Sequence, residues 1–256
     1  MPITNSTIET QLNHRSIRAF TDEPVSEEIM ETLFDVARHT ATTVFFQMFS
    51  IIRVKDPAIR EVIYQSSGQP YVGGDKGELL VFLVDLHRNA RIREEAGLDN
   101  DALDWASLAG FGMYDCLLAM QNLVVAAESL GLGTVYLGSI GGDRPSVIEA
   151  LKLPKYTFPI LGLLVGHPDQ EPLLKPRLPL DVLVGTDTYP QVENYHEALA
   201  EYDEAVHQYY DVRTPEHPEP SFTAQVEKKL GMNAGLQGEP FLAHLRSQGL
   251  FIRDAS

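Results

Sequence analysis

Apolar residues recur along this chain with two different spacings, and the spacing separates predicted helices from predicted strands. Ile29, Met30 and Leu33 follow Ser26 at helical spacing. The apolar run from Leu79 to Leu86 has the length and composition of a buried strand. The same criteria predict further strands over residues 48–54, 134–137 and 158–165, and helices over 58–64, 145–151, 222–230 and 241–247. Strands separated by helices predict a layered structure that contains both α and β elements.

Short polar motifs mark where some of these helices begin. Ser6 and Glu9 have the spacing of a capping box and predict a first helix from Ser6. Ser26 is a favourable N-cap for the second helix. Asp56 followed by Pro57 predicts the start of the third, because proline is well tolerated at the first helical position.

The most apolar region, Met113 to Leu130, predicts a long helix that ends at Gly131. Asp115 and Glu128 leave only residues 116–127 free of charge, which is too short for a membrane span. We therefore expect a core helix covered on all sides, with part of the cover supplied by a second subunit.

The character of the chain changes after the last predicted strand. Residues 175–179 contain two prolines and predict a rigid connector. Tyr195, Leu199, Tyr202 and Val206 then recur at helical spacing and predict a half-exposed helix. The three prolines within 214–221 predict an extended linker before the terminal helices.

The net charge is strongly negative, with 36 acidic and 20 basic side chains giving −16. Such a chain is repelled by phosphate backbones and anionic lipid headgroups, so nucleic acid and membrane are not expected partners. Cys116, the single cysteine, lies in an apolar stretch and is expected to be a buried, inert thiol. The first residues lack the basic flank and apolar run of a secretory signal, so a cytoplasmic protein is expected.

Several common catalytic motifs are absent from the sequence. Gly131 and Gly133 follow a predicted helix, and Tyr136 stands where a dinucleotide fingerprint needs its third glycine. The P-loop and Gly-x-Ser-x-Gly motifs do not occur. His196 and His207 lie eleven residues apart on one predicted helix, about 16 Å at 1.5 Å per residue, so no metal site is expected.

Three cationic islands stand out in this acidic chain. Any one of them is compatible with a solvated, solubilising surface, whereas together they could bind a phosphate through charge-assisted hydrogen bonds. The islands are His14, Arg15 and Arg18, then Lys175 and Arg177, then Arg213. The loop at residues 136–141 is either a plain strand-to-helix turn or a place where glycine lets the backbone approach a planar ligand.

The order of these motifs resembles the FMN-dependent nitroreductase family, from about Ile8 to Arg213. The resemblance is carried by His14-Arg-Ser-Ile-Arg18 with Phe20, by Tyr136-Leu-Gly138 after an Ala-Ala-Glu-Ser-Leu-Gly-Leu-Gly segment, and by Lys175-Pro-Arg177. Within the family the chain is most similar to the NADPH-dependent nitroreductase and flavin reductase branch. The resemblance implies an α+β fold whose central mixed sheet is flanked by helices in an intertwined homodimer. Residues 1–190 would form the FMN-binding core, and residues 191–256 a helical extension of the same domain.

The resemblance also implies roles for particular residues. The FMN phosphate and ribityl chain would be held by His14, Arg15, Ser16, Lys175 and Arg177. The flavin ring would be contacted by Arg18, Gln69, Tyr136, Leu137, Gly138 and Ser139, with Thr42 and Thr43 reaching the flavin of the partner subunit. Arg213 would contact the 2′-phosphate of NADPH. Phe45 is either a lid over the open flavin face or a core aromatic residue.

The implied reaction needs no catalytic side chain beyond the support of Arg18 and Phe45. NADPH, or NADH, would pass a hydride to FMN and leave before an electron acceptor binds, which is a ping-pong scheme. Nitroaromatics, quinones, azo compounds and free flavin would be acceptors. Two alternatives stay open: another flavin reaction on the same fold, such as reductive dehalogenation or flavin breakdown, and a non-catalytic flavin-binding or redox-sensing protein.

Overall fold

A computed structural model describes residues 3–213, 221–231 and 240–253, without the side chains of 211–213 and 229–231. Most of the segment expected to be a proline-rich linker, 214–220, therefore lies outside the described residues. The chain forms two compact units. The first comprises Met1–Glu171 and Pro240–Ser256, and the second comprises Pro172–Glu239.

The first unit is built on a four-stranded sheet. The strands are β1 (Phe49–Val54), β2 (Glu78–Asp85), β3 (Gly133–Leu137) and β4 (Thr157–Gly166), in the spatial order β1-β2-β4-β3. The α+β class is confirmed, but the expectation of a mixed sheet is wrong for the described strands, because all three pairs are antiparallel. Among the described residues, parallel pairing is limited to two isolated bridges, from Ser16 to Thr134 at the β3 edge and from Trp105 to Arg253.

The sheet is covered by helices on both faces, which explains why β2 is almost entirely apolar. Alternate β2 residues point to opposite faces and enter two separate core clusters. Leu80, Phe82 and Val84 belong to the cluster that includes the long central helix, whereas Leu79, Val81 and Leu83 belong to the other.

Six helices of the first unit precede the chain's entry into the second. They are α1 (Ser6–Leu12), α2 (Glu27–Arg38), α3 (Pro57–Ser67), α4 (His87–Glu95), α5 (Ala106–Ser129) and α6 (Arg144–Ala150). The second unit contains α7 (Leu180–Leu183), α8 (Tyr195–Ala198), α9 (Ala200–Arg213) and α10 (Phe222–Gly231), and α11 (Phe241–Ser247) returns to the first. Short 3-10 helices occupy Thr43–Phe45, Pro70–Val72, Asp101–Asp104 and Gly138–Asp143.

Two of the three predicted helix caps are confirmed. Ser26 accepts a hydrogen bond from Ile29 N at 3.2 Å, and Asp56 accepts one from Ala58 N at 2.8 Å. The capping box at Ser6 is wrong. Asn5 is the N-cap of α1, because its backbone is extended and its side chain accepts from Ile8 N at 3.0 Å.

The central helix α5 packs on the sheet with one face, where Cys116 is fully buried as predicted. Burial and the neighbouring charge of Asp115 raise the pKa of this thiol. The single chain leaves one face of the helix exposed, so the cover expected from a second subunit stays a prediction. Tyr114, Leu117 and Leu118 are 59%, 43% and 52% exposed, because the sheet and α2 pack against the other side.

Among the described residues α5 is the one helix that is long and apolar enough to cross a membrane, and it is the core helix of the first unit.

The described residues of the second unit are mostly helical. The single helix expected from Tyr195 to Val206 is split at Leu199 into α8 and α9. Asn194 caps α8 by accepting hydrogen bonds from the next turn. Asp203 of α9 accepts from Thr223 N at 3.0 Å and so caps the start of α10.

Candidate functional site

The cationic segment 14–18 lies along the outer edge of β3. Ile17 N donates to Thr134 O at 2.8 Å, and Ser16 bridges Thr134 in the parallel sense. A Cβ on Gly133 would lie 2.6 Å from the Ile17 side chain, so the close approach requires glycine there. The segment therefore runs in the same direction as β3, toward the glycine-containing turn that follows the strand.

His14 is oriented by a carboxylate of the central helix. Its Nδ1 lies 2.7 Å from Oε1 of Glu128, and Thr134 Oγ1 donates to the same oxygen at 2.8 Å. The imidazole is 28% exposed. Because a carboxylate accepts the hydrogen bond, Nδ1 carries a proton and Nε2 is the nitrogen that remains for a ligand.

Arg15 supplies a direct sign that an anion belongs at this segment. Its Nε is buried and has no hydrogen-bond partner within the described residues. Leaving such a donor unsatisfied costs about 1–3 kcal/mol. A phosphate oxygen is the complementary acceptor for a guanidinium, so the residues here fit a phosphorylated ligand.

Arg18 lies near the turn that carries Gln69. Its backbone N donates to Gln170 Oε1 at 3.1 Å, and its exposed guanidinium lies 6.0 Å from the ring centroid of Tyr71. Tyr71 follows Gln69 in the Pro70–Val72 turn. The structure thus brings Arg18 and the turn after α3 to one side of the first unit.

Buried Arg60 of α3 holds the loop that follows this turn. Its guanidinium donates to the carbonyl oxygens of Val72, Lys76 and Gly77 at 2.8, 2.6 and 2.8 Å. Burial lowers the pKa of Arg60 from its ordinary value. These three hydrogen bonds from one guanidinium hold a loop that has no regular secondary structure.

The turn after β3 is attached to the end of α3 by Ser66. Its hydroxyl donates to Ile140 O at 3.0 Å and accepts from Asp143 N at 2.9 Å. A Cβ on Gly138 would meet only Leu161, at 3.8 Å, so packing does not require glycine at that position. The free space over Gly138 suits close approach of a planar ligand to the backbone.

The side chains around this turn point in different directions. Tyr136 donates its hydroxyl proton to Gln121 Oε1 at 2.6 Å, and burial together with the charge of Glu128 raises its pKa to about 12. Leu137 is 1% exposed and belongs to the core, so only its backbone is available to a ligand. Ser139 is half-buried in the turn itself.

The connector before β1 has an unusual backbone. Val44, Phe45 and Gln47 have positive φ angles of 47°, 63° and 50°. Such angles cost of the order of 1–3 kcal/mol each for residues other than glycine. Phe45 is 81% exposed, which excludes the core-aromatic alternative for this residue. Thr42 and Thr43 are half-buried at the start of the connector.

The second unit carries the remaining predicted cations. Lys175 Nζ lies 6.0 Å from the ring centroid of Tyr210. Arg177 is exposed, and its Nη1 donates to Lys175 O at 2.8 Å. Neither side chain pairs with a carboxylate within the described residues. Arg213 ends α9, and its side chain lies outside the described part of the chain.

The predicted site residues of the first unit fall into two groups. One group lies at the β3 side: the 14–18 segment, Gln69 and the 136–139 turn. The connector with Thr42, Thr43 and Phe45 leads into β1, at the opposite edge of the sheet. Three strand spacings of about 4.8 Å separate β1 from β3 by about 14 Å.

Sequence reasoning missed Glu128, Asp115 and Arg60, which orient the predicted residues. For Glu128 and Asp115 the available signal was the presence of isolated acidic residues in the otherwise apolar helix α5. Asp115 is fully buried and accepts hydrogen bonds from Thr43 N and Met48 N. Acidic residues are rarely buried without a partner, so an isolated one inside an apolar run indicates such contacts.

Known proteins resemble this chain along nearly its whole length. An NADPH-dependent oxidoreductase from Staphylococcus aureus strain USA300 is 36% identical over 245 residues, 94% of this chain and 96% of the relative. The solved structure of B. megaterium NfrA1 is 36% identical with a TM-score of 0.89, covering 96% of this chain and all of that one. The NADPH:FMN oxidoreductase from Vibrio harveyi, complexed with NAD+, is 34% identical with a TM-score of 0.85, covering 97% and 100%.

Sequence profiles agree with these relatives. The nitroreductase family profile matches residues 12–167, and the profile of that family's C-terminal domain matches residues 175–253. The two matches cover the sheet, the cationic segment along β3 and the helical second unit. With a whole-length relative above one-third identity and the same fold, this chain belongs to the nitroreductase family.

Proposed function

We propose that this protein is an FMN-dependent oxidoreductase that uses NADPH to reduce small electron-poor acceptors. The observation that carries the proposal is the buried Nε of Arg15, which has no hydrogen-bond partner within the described residues; the preceding residue, His14, has its imidazole held by Glu128. The two residues are consecutive on a segment that runs along the edge of β3. This arrangement supports binding of the FMN phosphate, and the names of the relatives support both the cofactor and NADPH.

Different residues of the first unit would bind different parts of the flavin. His14, Arg15 and Ser16 would hold the phosphate and ribityl end. Arg18 and Gln69 would bind the polar edge of the ring, where a fixed cation favours the negative charge of the reduced flavin. The backbone of residues 136–139 would lie along one ring face.

Lys175 and Arg177 of the second unit are proposed as further phosphate ligands. Both are exposed cations that lack a carboxylate partner within the described residues. Arginine supplies a planar fork and lysine a point charge, and both suit phosphate. The division into a core, residues 1–190, and an extension of the same domain, residues 191–256, stays a proposal.

A homodimer is part of the proposal because the connector leads into β1, and β1 lies three strand spacings, about 14 Å, from β3. Thr42, Thr43 and Phe45 would therefore serve the flavin of a second copy. The exposed apolar side chains of Tyr114, Leu117 and Leu118 provide a surface that pairing of two copies would cover.

Bound FMN would supply the chemistry of hydride transfer between a nicotinamide and an acceptor. The protein would bind one substrate at a time over the same face, which gives ping-pong kinetics. Phe45 would restrict access to that face. Nitroaromatics, quinones, azo compounds and free flavin are the proposed acceptors, and the cytoplasm is the proposed location.

NADPH is proposed as the reductant, with Arg213 contacting its 2′-phosphate. The support is the position of Arg213 at the end of α9 and the names of the relatives. NADH would be accepted more weakly, because it lacks the group that Arg213 binds.

The test is an absorption spectrum of the purified protein near 450 nm, before and after anaerobic addition of NADPH or NADH. Bound flavin that NADPH bleaches faster than NADH supports the proposal. Flavin that neither nucleotide bleaches would instead support a binding or sensing protein. Rapid bleaching without turnover of quinones or nitroaromatics would indicate a different flavin reaction, and protein that takes up no FMN would refute the cofactor assignment.

A further inference from the structure

The connector between α2 and β1 is held from the core by one carboxylate. Asp115 is fully buried in α5. Its Oδ1 accepts from Thr43 N at 2.8 Å, and its Oδ2 accepts from Met48 N at 3.0 Å. A single side chain therefore binds both ends of residues 43–48, where no strand or α-helix satisfies these groups.

The same connector is held from the surface by helix α4. Arg88 donates from Nη1 to Gln47 O at 3.2 Å and from Nη2 to Phe49 O at 3.1 Å. Its Nη2 is itself placed by Asp85 Oδ2 at 2.9 Å. Asp115 thus satisfies backbone N–H groups of this short segment, and Arg88 satisfies its backbone carbonyl groups.

Gly112 allows α5 to come close enough for this contact. A Cβ at that position would lie 2.8 Å from Val84 Cγ1 and 3.2 Å from Met48 O. Asp115 follows three residues later on the same side of the helix. The absence of a Cβ at Gly112 lets α5 approach Met48, and the Asp115 carboxylate then binds the backbone N–H of Met48.

A buried carboxylate is costly unless hydrogen bonds compensate it. Within the described residues, both hydrogen bonds of the Asp115 side chain go to the connector. Between them lie Val44, Phe45 and Gln47, whose positive φ angles need external support to persist. If position 115 served only to fill the core, an apolar residue would do so equally well. The carboxylate is therefore explained by its hydrogen bonds to the connector.

We propose that Asp115 is a positioning residue for the reaction and that Arg88 assists it from the surface. The two side chains hold the strained connector independently, so that Thr43 and Phe45 keep one conformation at the flavin site. This inference rests on the proposed function, because it assigns the connector to that site.

The first measurement is hydrogen–deuterium exchange on Asp115→Asn, with and without FMN. An asparagine amide nitrogen cannot accept a hydrogen bond, so one of the two connector amides loses its acceptor. We expect hydrogen exchange within residues 43–48 to accelerate about tenfold, because the locally opened state of the connector becomes about ten times more populated. The amides of β2 should keep their protection. Chymotrypsin should also cleave after Phe45 faster than in the unmodified protein.

The second measurement is steady-state kinetics at equal flavin occupancy. We expect KM for NADPH or for the acceptor to rise about tenfold with a smaller change in kcat, the sign of lost ligand positioning. Arg88→Ala should act in the same direction, and it carries the test if Asp115→Asn does not fold. Arg91→Ala is the matched control, because Arg91 lies on α4 and pairs only with Glu94 within the described residues.

The proposal is overturned if the connector exchanges equally in the variants and the unmodified protein. It is also overturned if exchange accelerates but KM stays the same at equal flavin occupancy. Failure of the proposed function would be seen separately, as unmodified protein that binds no FMN. Exchange in the flavin-free protein would then still decide whether Asp115 holds the connector.

Discussion

Nδ1 of His14 lies 2.7 Å from Oε1 of Glu128, and this contact joins two parts of the chain 114 residues apart. Thr134 at the start of β3 donates to the same oxygen. The central helix therefore sets the orientation of the first residue in the proposed phosphate site. We therefore expect cofactor binding to depend on Glu128, a residue that need not touch the cofactor.

Glu128→Gln tests this dependence. We expect FMN affinity to fall about 10- to 100-fold, because a hydrogen bond to a charged group contributes about 1.5–3 kcal/mol. Titration of flavin-free protein with FMN, followed by fluorescence quenching, measures the effect. Glu149→Gln is the control, since Glu149 is exposed on α6. Equal affinity in both variants would contradict the orienting role.

Arg15→Ala separates ligand binding from stability. We expect the flavin-free variant to be at least as stable as the original, because removing a buried donor without a partner removes a cost of about 1–3 kcal/mol. FMN binding should fall by more than tenfold, and Arg15→Lys should retain part of it. Thermal unfolding with and without FMN measures both effects. A variant destabilised equally in the two conditions would show that Arg15 serves the fold.

Arg177→Ala tests the contribution of the second unit. We expect roughly tenfold weaker FMN retention, the usual order for one charge-assisted contact of about 1.5 kcal/mol. The loss should shrink in high salt, since the residue is exposed. Dialysis of the loaded protein measures retention, and Lys228→Ala on α10 is the control. Unchanged retention would reject the phosphate role of Arg177.

Acid should destabilise the fold through Glu78 at the start of β2. Burial alone would raise its pKa, but hydrogen bonds from Arg53 and Lys55 outweigh that effect and hold the pKa below the ordinary 4.5. A lowered folded-state pKa gives stability that is present above pH 4.5 and is lost as the pH falls further.

Glu78→Gln should therefore unfold more easily at pH 7, by about 1 kcal/mol for a half-buried ion pair. The difference from the unmodified protein should narrow as the pH is lowered below 4.5. Urea unfolding at several pH values measures it. A difference that does not vary with pH would show that the pair contributes packing alone.

Elements with strong local signals were predictable from the sequence. β2 is apolar between its end residues Glu78 and Asp85, and Ser26 and Asp56 cap the helices that they were expected to cap. Helix α4 gave no such signal, since its sequence is highly polar and only Ala90 is buried. The capping box at Ser6 failed because Asn5, one residue earlier, competes for the same role.

Strand direction and site geometry depend on contacts that are distant in sequence. No local pattern states that Ser16 bridges Thr134 or that Glu128 reaches His14. The cationic residues of the site were identifiable because they are rare in an acidic chain. The residues that orient them were not, because a buried carboxylate shows its role only when its partners are known.

The burial of Cys116 has a practical consequence for spectroscopy. It is the single cysteine of the chain and is fully buried, and its thiol resists ionisation. A thiol-directed spin label or dye will therefore leave the natural protein unmodified. A cysteine introduced at exposed Leu12 becomes the one reactive attachment point per chain, so the distance between two labels reports directly on the pairing of two copies.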